Sequence, residues 1–196
     1  MIKPIKIIKL NGGLGNQLFQ YSLGLYLQKK KNFLIKYEKS FFNKKIDVPV
    51  IRIDKVFDIK LDEIKKNNLS LRNKFLTNRF VIYFFQIFSA KTLEKYGIFI
   101  EKNKAFDNRI LNAEKFFYFS GYFQSENYFQ KIKKLLIKKI KLKIKINKPN
   151  IVILNKIRKT SSVAVHVRRN DYINKPHLNK IYNICDKNYY MKAFQI

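Results

Sequence analysis

The chain has 196 residues, with 42 Lys+Arg against 13 Asp+Glu, a formal charge of +29. Hydrophobic residues make up 46% and aromatics 15%, enough to bury a core, which excludes a disordered polybasic tail. One cysteine and two histidines exclude a disulfide framework and a Cys- or His-rich metal centre, while the lack of a membrane-length apolar run or a secretory h-region points to a cytoplasmic chain, free or surface-attached.

Lys6-Ile7-Ile8-Lys9-Leu10 reads as a short strand stopped by Asn11-Gly12-Gly13. Leu14-Gly15-Asn16-Gln17 leads into a helix with Leu18, Tyr21 and Leu25 on one face, ending in Lys29-Lys30-Lys31, where lysines suit the negative end of the helix dipole. Phe33 to Tyr37 reads as the next strand. Strand, glycine turn, helix and strand in this order open a parallel α/β domain.

Between residues 40 and 115 the pattern is weaker. Phe80-Val81-Ile82-Tyr83-Phe84-Phe85 suits a buried helix or a strand, with its aromatics in the core. Phe116 to Tyr122 reads as a buried strand ending at Gly121, and Ser125-Glu126-Asn127 offers a helix start. From Lys131 to Ile146, Ile132, Leu136 and Ile140 recur at helical spacing, followed by strict alternation to Ile146 that suits a strand or an extended exit. Either that helix packs its stripe on the core, or it rests as a basic amphipathic element on anionic lipid. Pro149 and Asn150 mark a break, residues 151–158 a short helix, and Ser162 to Val167 a β-branched strand.

A charge of +29 first suggests nucleic acid or lipid. Only seven of the 42 positive residues are Arg, however, and the chain is rich in Ile, Asn, Phe and Tyr, so lysine drift explains the excess better. No RNA-reading motif is present, and no nucleic-acid partner is expected.

Two segments carry chemistry. In Asn11-Gly12-Gly13-Leu14-Gly15-Asn16-Gln17, the glycines allow close backbone approach while the following helix aims its N-terminus at the same spot. It is neither a dinucleotide fingerprint nor a P-loop, and an ordinary strand-to-helix turn would look similar. The Asn16-Gln17 amides are what such a turn does not need. The second segment, His166-Val167-Arg168-Arg169-Asn170-Asp171-Tyr172, sets two arginines after a strand, where open α/β sheets bind ligands. Their forks suit a diphosphate, with Asp171 placed to orient one of them. A surface Arg–Asp pair is the plainer alternative.

Together these segments resemble bacterial α-1,2-fucosyltransferases of glycosyltransferase family 11. Gly12 to Tyr21 is similar to that family's opening motif, and His166 to Tyr172 to its His-Val-Arg-Arg-Gly-Asp-Tyr signature. Gly121-Tyr122-Phe123-Gln124-Ser125 is similar to its Gly-Tyr-Trp/Phe-Gln-Ser segment, and Cys185 to Tyr190 to the helix start that follows. Asn170 stands for the usual glycine and Ser22 for a common alanine.

The resemblance implies a GT-B-like α/β fold, with a Rossmann-like N-terminal domain at 1–158 on the acceptor side. Residues 159–196 would be the truncated start of a GDP-fucose-binding domain. It implies inverting transfer of fucose from GDP-β-L-fucose to O2 of a galactose in a surface glycan such as lipopolysaccharide, with no cofactor and no metal. Arg168 and Asp171 are then the catalytic candidates, Arg168 meeting the charge left on the β-phosphate. Arg169, Gly13, Gly15, Asn16 and His166 join Arg168 as donor-binding candidates. Location would be cytoplasmic, with peripheral attachment at the inner face of the membrane. Only 24 residues follow Tyr172. The alternatives are therefore an inactive truncation product of a frameshifted or split gene, and a basic protein binding RNA or a membrane surface.

Overall fold

In the computed structural model of the chain, residues 3–43, 50–64, 71–76, 78–85, 87–102, 105–167 and 185–195 are described. The chain divides into two units, Met1–Lys145 and Ile146–Ile196.

The first unit is built on a four-stranded parallel sheet with strand order β2-β1-β4-β3. Its strands are Ile5–Lys9 (β1), Leu34–Glu38 (β2), Ile98–Ile100 (β3) and Tyr118–Ser120 (β4). Ile7 faces Lys36 on one side and Tyr118 on the other, and Phe99 faces Phe119. The parallel sheet agrees with the expected α/β class and is consistent with a Rossmann-like domain. β3 escaped the sequence reading because three residues after Gly97 carry no usable period.

Leu14–Lys30 (α1) crosses from β1 to β2. Its middle is buried nearly all round, from Gln20 to Leu27, rather than along one stripe. Gly24 permits this, since a Cβ there would stand 3.0 Å from Ile8 Cδ1 and closer still to the Tyr37 hydroxyl. Behind the sheet lies an aromatic core in which Phe99 meets Phe116 edge-on at 5.3 Å and Phe123 meets Tyr128 at 5.9 Å.

Short helices Ile53–Val56 (α2), Leu71–Leu76 (α3), Arg79–Phe85 (α4) and Ala90–Lys95 (α5) fill the connection between β2 and β3. The aromatics expected as core on α4 are not core: Phe80, Tyr83 and Phe84 are exposed, and Val81 is the residue that packs inward with Phe88. A short apolar run shows that a segment is hydrophobic without showing which face meets the sheet. In Lys133–Lys139 (α6) the opposite holds. Ile132 and Leu136 are buried, so the core has taken that stripe, and the alternating stretch beyond it pairs only briefly, Leu142 with Phe57. Among the described residues no helix is long and apolar enough to cross a membrane.

Lys6 is the one charged side chain that β1 buries, at 4% exposure. Its ammonium donates to the carbonyls of Ala113, Glu114 and Phe116 at 2.7, 3.0 and 2.5 Å, and lies 4.4 Å from the centre of the Phe33 ring. These carbonyls lie at the end of the 3₁₀ helix Asn108–Lys115 and just past it, where Ala113 also accepts from the Phe116 amide. Burial holds the ammonium below its ordinary pKa, against a smaller opposing pull from Glu114. The charge therefore costs stability that the three bonds must offset.

In the second unit, Lys148–Lys159 (α7) is capped by Asn147, whose side chain accepts from the Asn150 amide at 3.1 Å. Pro149 sits in the first turn, so Pro149 and Asn150 start the helix rather than break it. Lys187–Ala193 (α8) starts at Asp186, as its sequence suggests, with the Asp186 carboxylate accepting from the Tyr189 amide. Residues 161–167 do not form the expected strand. They run without a ladder, and Val163, Val165 and Val167 are 85%, 47% and 45% exposed. A strand needs a paired neighbour, and the described residues of this unit supply none. None of those residues is buried.

Replacing Lys6 with Ala should cost more than about 3 kcal/mol in urea unfolding, because buried carbonyls lose their donor. Lys6→Met keeps the stem packing and should cost less than Lys6→Ala. Equal stability of wild type and Lys6→Ala would show that the ammonium holds nothing.

Candidate functional site

β1 lies between β2 and β4, so the chain leaves β1 to one side and returns on the other. The carboxyl ends of β1 and β4 therefore flank the topological switch point, where open parallel sheets form their binding crevice. Two loops meet there: Asn11–Gly13 after β1, and Gly121–Gln124 after β4.

The glycine turn is shaped by a backbone requirement at Gly12, whose φ is +73°. A Cβ at that position would fall 2.6 Å from Asn16 Nδ2 and 3.0 Å from Tyr122 Cε1. Gly13 caps α1 without a side chain, and no acidic residue follows in the first turn. Cβ atoms at Gly13 and Gly15 would meet nothing within 4 Å. The helix N-terminus, with its partial positive charge, thus opens onto free space.

Two buried glutamines on α1 fix this shape. Gln17, fully buried, donates to the carbonyls of Gly12 and Ile51 at 3.0 and 2.9 Å and accepts from the Ile53 amide at 3.0 Å. Gln20, also fully buried, donates to Asn11 Oδ1 and to the Gly121 carbonyl at 2.5 and 2.9 Å, and accepts from the Asn11 amide at 3.1 Å. Each amide uses both its donors and its acceptor. Gln17 ties the turn to the start of α2, and Gln20 ties β1 to β4.

Asn16 lies at the rim of the crevice, half-buried, with its Oδ1 accepting from Gln124 Nε2 at 2.7 Å. The Gly121–Gln124 loop is held from the far side by Glu101, just after β3. Glu101 Oε2 accepts from the amides of Tyr122 and Phe123 at 2.7 and 3.0 Å. Phe123, at φ +55°, is buried completely, and this clamp keeps a non-glycine residue in the left-handed region.

Of the sequence candidates, Gly13, Gly15 and Asn16 come together at the crevice. His166, in the second unit, is exposed, and its carbonyl accepts from the Tyr190 hydroxyl at 3.5 Å. Arg168, Arg169 and Asp171 lie outside the described residues. Gln17, whose amide the sequence suggests a simple turn does not need, bonds the protein's own backbone at and beyond that turn. Sequence reasoning misses Gln20 and Glu101. One signal was available: Gln17 and Gln20 sit three apart on one helix face, among residues that are otherwise apolar.

A parallel sheet with a glycine turn and an open helix N-terminus at its switch point is consistent with a Rossmann-like α/β domain. The family model described as Glycosyl transferase family 11 matches residues 3–196, and the chain belongs to that family. It is 28% identical over 202 residues to an alpha-1,2-colitosyltransferase of Escherichia coli, over 97% of this chain and 63% of that protein. The chain thus spans 63% of the length of that relative. No solved structure matches it.

Gln17→Ala and Gln20→Ala should each destabilise the chain by about 2–4 kcal/mol, since each strands three polar groups in or beside the core. Chemical unfolding checks this, and a change within about 0.5 kcal/mol would mean that the amides are dispensable.

Proposed function

We propose that this chain carries the acceptor-side domain, and the beginning of the donor side, of an inverting glycosyltransferase that moves a 6-deoxyhexose from a GDP-sugar to O2 of a galactose in a surface glycan. What carries this reading is the family match through residues 3–196, taken together with an open crevice in front of Gly13 and Gly15.

The chemistry asks for three things. Departure of GDP leaves charge on the β-phosphate, which Arg168 meets, with Arg169 as the second donor-binding arginine and Asp171 orienting one of the two. These arginines do the neutralising without a divalent metal or other cofactor. The α1 N-terminus and Asn16 contact the sugar or diphosphate, His166 adds a donor contact, and the acceptor hydroxyl gives its proton to a base.

The donor is GDP-fucose or its 3-deoxy analogue GDP-colitose, which differ by one hydroxyl. A site that hydrogen-bonds that hydroxyl discriminates by roughly 10⁴–10⁵, whereas an apolar pocket manages only about 10². Transfer assays with both donors on a β-galactoside, with the linkage read by NMR, decide the donor.

A second reading, in which this chain alone does not complete a donor site, is favoured by one observation: no described residue of the Ile146–Ile196 unit is buried. Calorimetry with GDP-fucose separates the two, because heat of binding supports a competent site and silence supports an incomplete one.

Arg168→Ala should lower transfer by at least about 10² with the unfolding midpoint unchanged. Retention of most activity would falsify the role given to that arginine. Gly15→Ala should keep or slightly raise stability, by up to about 1 kcal/mol in a helix, yet reduce transfer, because its methyl enters the space left for ligand. Full activity in Gly15→Ala would remove the crevice from the site.

A further inference from the structure

On α4, Phe80, Tyr83 and Phe84 fall at positions i, i+3 and i+4, one side of the helix, and Ile87 follows in the turn after it, its amide donating to the Phe84 carbonyl at 3.3 Å. In most globular proteins such an apolar side faces the core. Here it faces out, the four residues being 76%, 75%, 58% and 74% exposed. Phe75 on α3 is exposed as well. The contact with the core is made by Val81 and Phe88, which pack against the cluster of Ile7, Leu93, Ile98 and Tyr118. The helix is therefore anchored by one set of apolar side chains while it displays another.

The charge of the surrounding segment indicates what meets that display. In sequence, between Glu63 and Glu94 there is no acidic residue, and there are six basic ones, Lys65, Lys66, Arg72, Lys74, Arg79 and Lys91, of which Lys74 and Lys91 are exposed among the described side chains. Four of the six are lysines, which serve as point charges near anionic headgroups and need no fixed geometry. A nucleic acid would ask for a groove with separate stacking rings. Exposed ring carbon on one side of α4, with the exposed aliphatic Ile87 just after it, suits hydrocarbon better. Amphipathic surface helices combine these properties, an apolar face with large side chains and basic residues around it.

We propose that this face docks on an anionic lipid surface, with Phe80, Tyr83, Phe84 and Ile87 entering the boundary between headgroups and acyl chains. The inference is independent of the transfer reaction, and it assigns lipid contact to α4 rather than to the lysine-rich α6, whose stripe is already in the core.

The test uses the full chain. Because the sequence has no tryptophan, Phe84→Trp introduces a single reporter. Its emission should shift to the blue with phosphatidylcholine vesicles containing about one-quarter phosphatidylglycerol, not with phosphatidylcholine alone, and high salt should weaken the shift. In flotation with the same vesicles, the double variant Phe80→Ser/Phe84→Ser should bind at least about tenfold more weakly, with an unchanged unfolding midpoint. A matched pair in α6, Lys133→Ser/Lys134→Ser, should change binding by no more than about twofold. No binding to the anionic vesicles, binding indifferent to the serines, or an equal loss in the α6 pair would each overturn the proposal. So would a blue shift produced without vesicles by added polyuridylic acid, or by raising the protein concentration, which would identify RNA or a second copy as the occupant.

Discussion

Two buried side-chain amides hold the first unit in the shape on which its crevice depends. Gln17 and Gln20 stand one turn apart on α1, and between them they bond the glycine turn, the end of β1, the end of β4 and the start of α2. The burial of an amide is unfavourable unless every donor and acceptor finds a partner. Here each does, and apart from the Asn11 side-chain oxygen the partners are backbone groups of the connecting segments. With both glutamines committed to the protein's own groups, the front of the turn is formed by glycine, and Cβ atoms at Gly13 and Gly15 would meet nothing within 4 Å.

The same logic recurs at other polar groups in the core. Lys6 reaches carbonyls at the end of the 3₁₀ helix before β4 and just past it, and Glu101 holds the amides of the loop after β4. Both ends of β4 are therefore set by a charged side chain from a neighbouring strand or its exit. That matters because β4 is only three residues long and its own ladder offers few bonds. Around these groups the core is largely aromatic, with Phe99, Phe116, Phe119 and Phe123 in mutual contact. Rings of this size pack only at particular angles, which fixes where the polar ties fall.

Much of the fold was legible in the sequence where a local signal had a local cause. The β1–α1–β2 opening and the strand before Gly121 follow from short patterns that physics leaves few ways to satisfy, while the helix start at Cys185 to Tyr190 is implied by the family resemblance. β3 and the orientation of α4 were not legible. Three apolar residues after a glycine suit several structures, and a hydrophobic helix with residues on two faces does not say which face the sheet will take. The expected strand at residues 162–167 failed for a related reason: β-branched residues favour extended backbone, but pairing is a property of two segments.

By itself the sequence determined the class of the domain, the location of its glycine turn and the motif order that links it to glycosyl transferase family 11. The first two rest on nearest-neighbour chemistry, glycine's freedom at Gly12 and the strand, turn, helix and strand order around it, and the third on the resemblance of motifs. Only the tertiary structure decided that Gln17 and Gln20 serve the protein rather than a ligand, that Lys6 and Glu101 bracket β4, and that the aromatic stripe of α4 faces outward. Those outcomes depend on which groups are brought together across gaps of up to about a hundred residues, as with Gln20 and Gly121. No local pattern records such a distance, because the pairing is chosen by burial and by the demand that every buried polar group be satisfied.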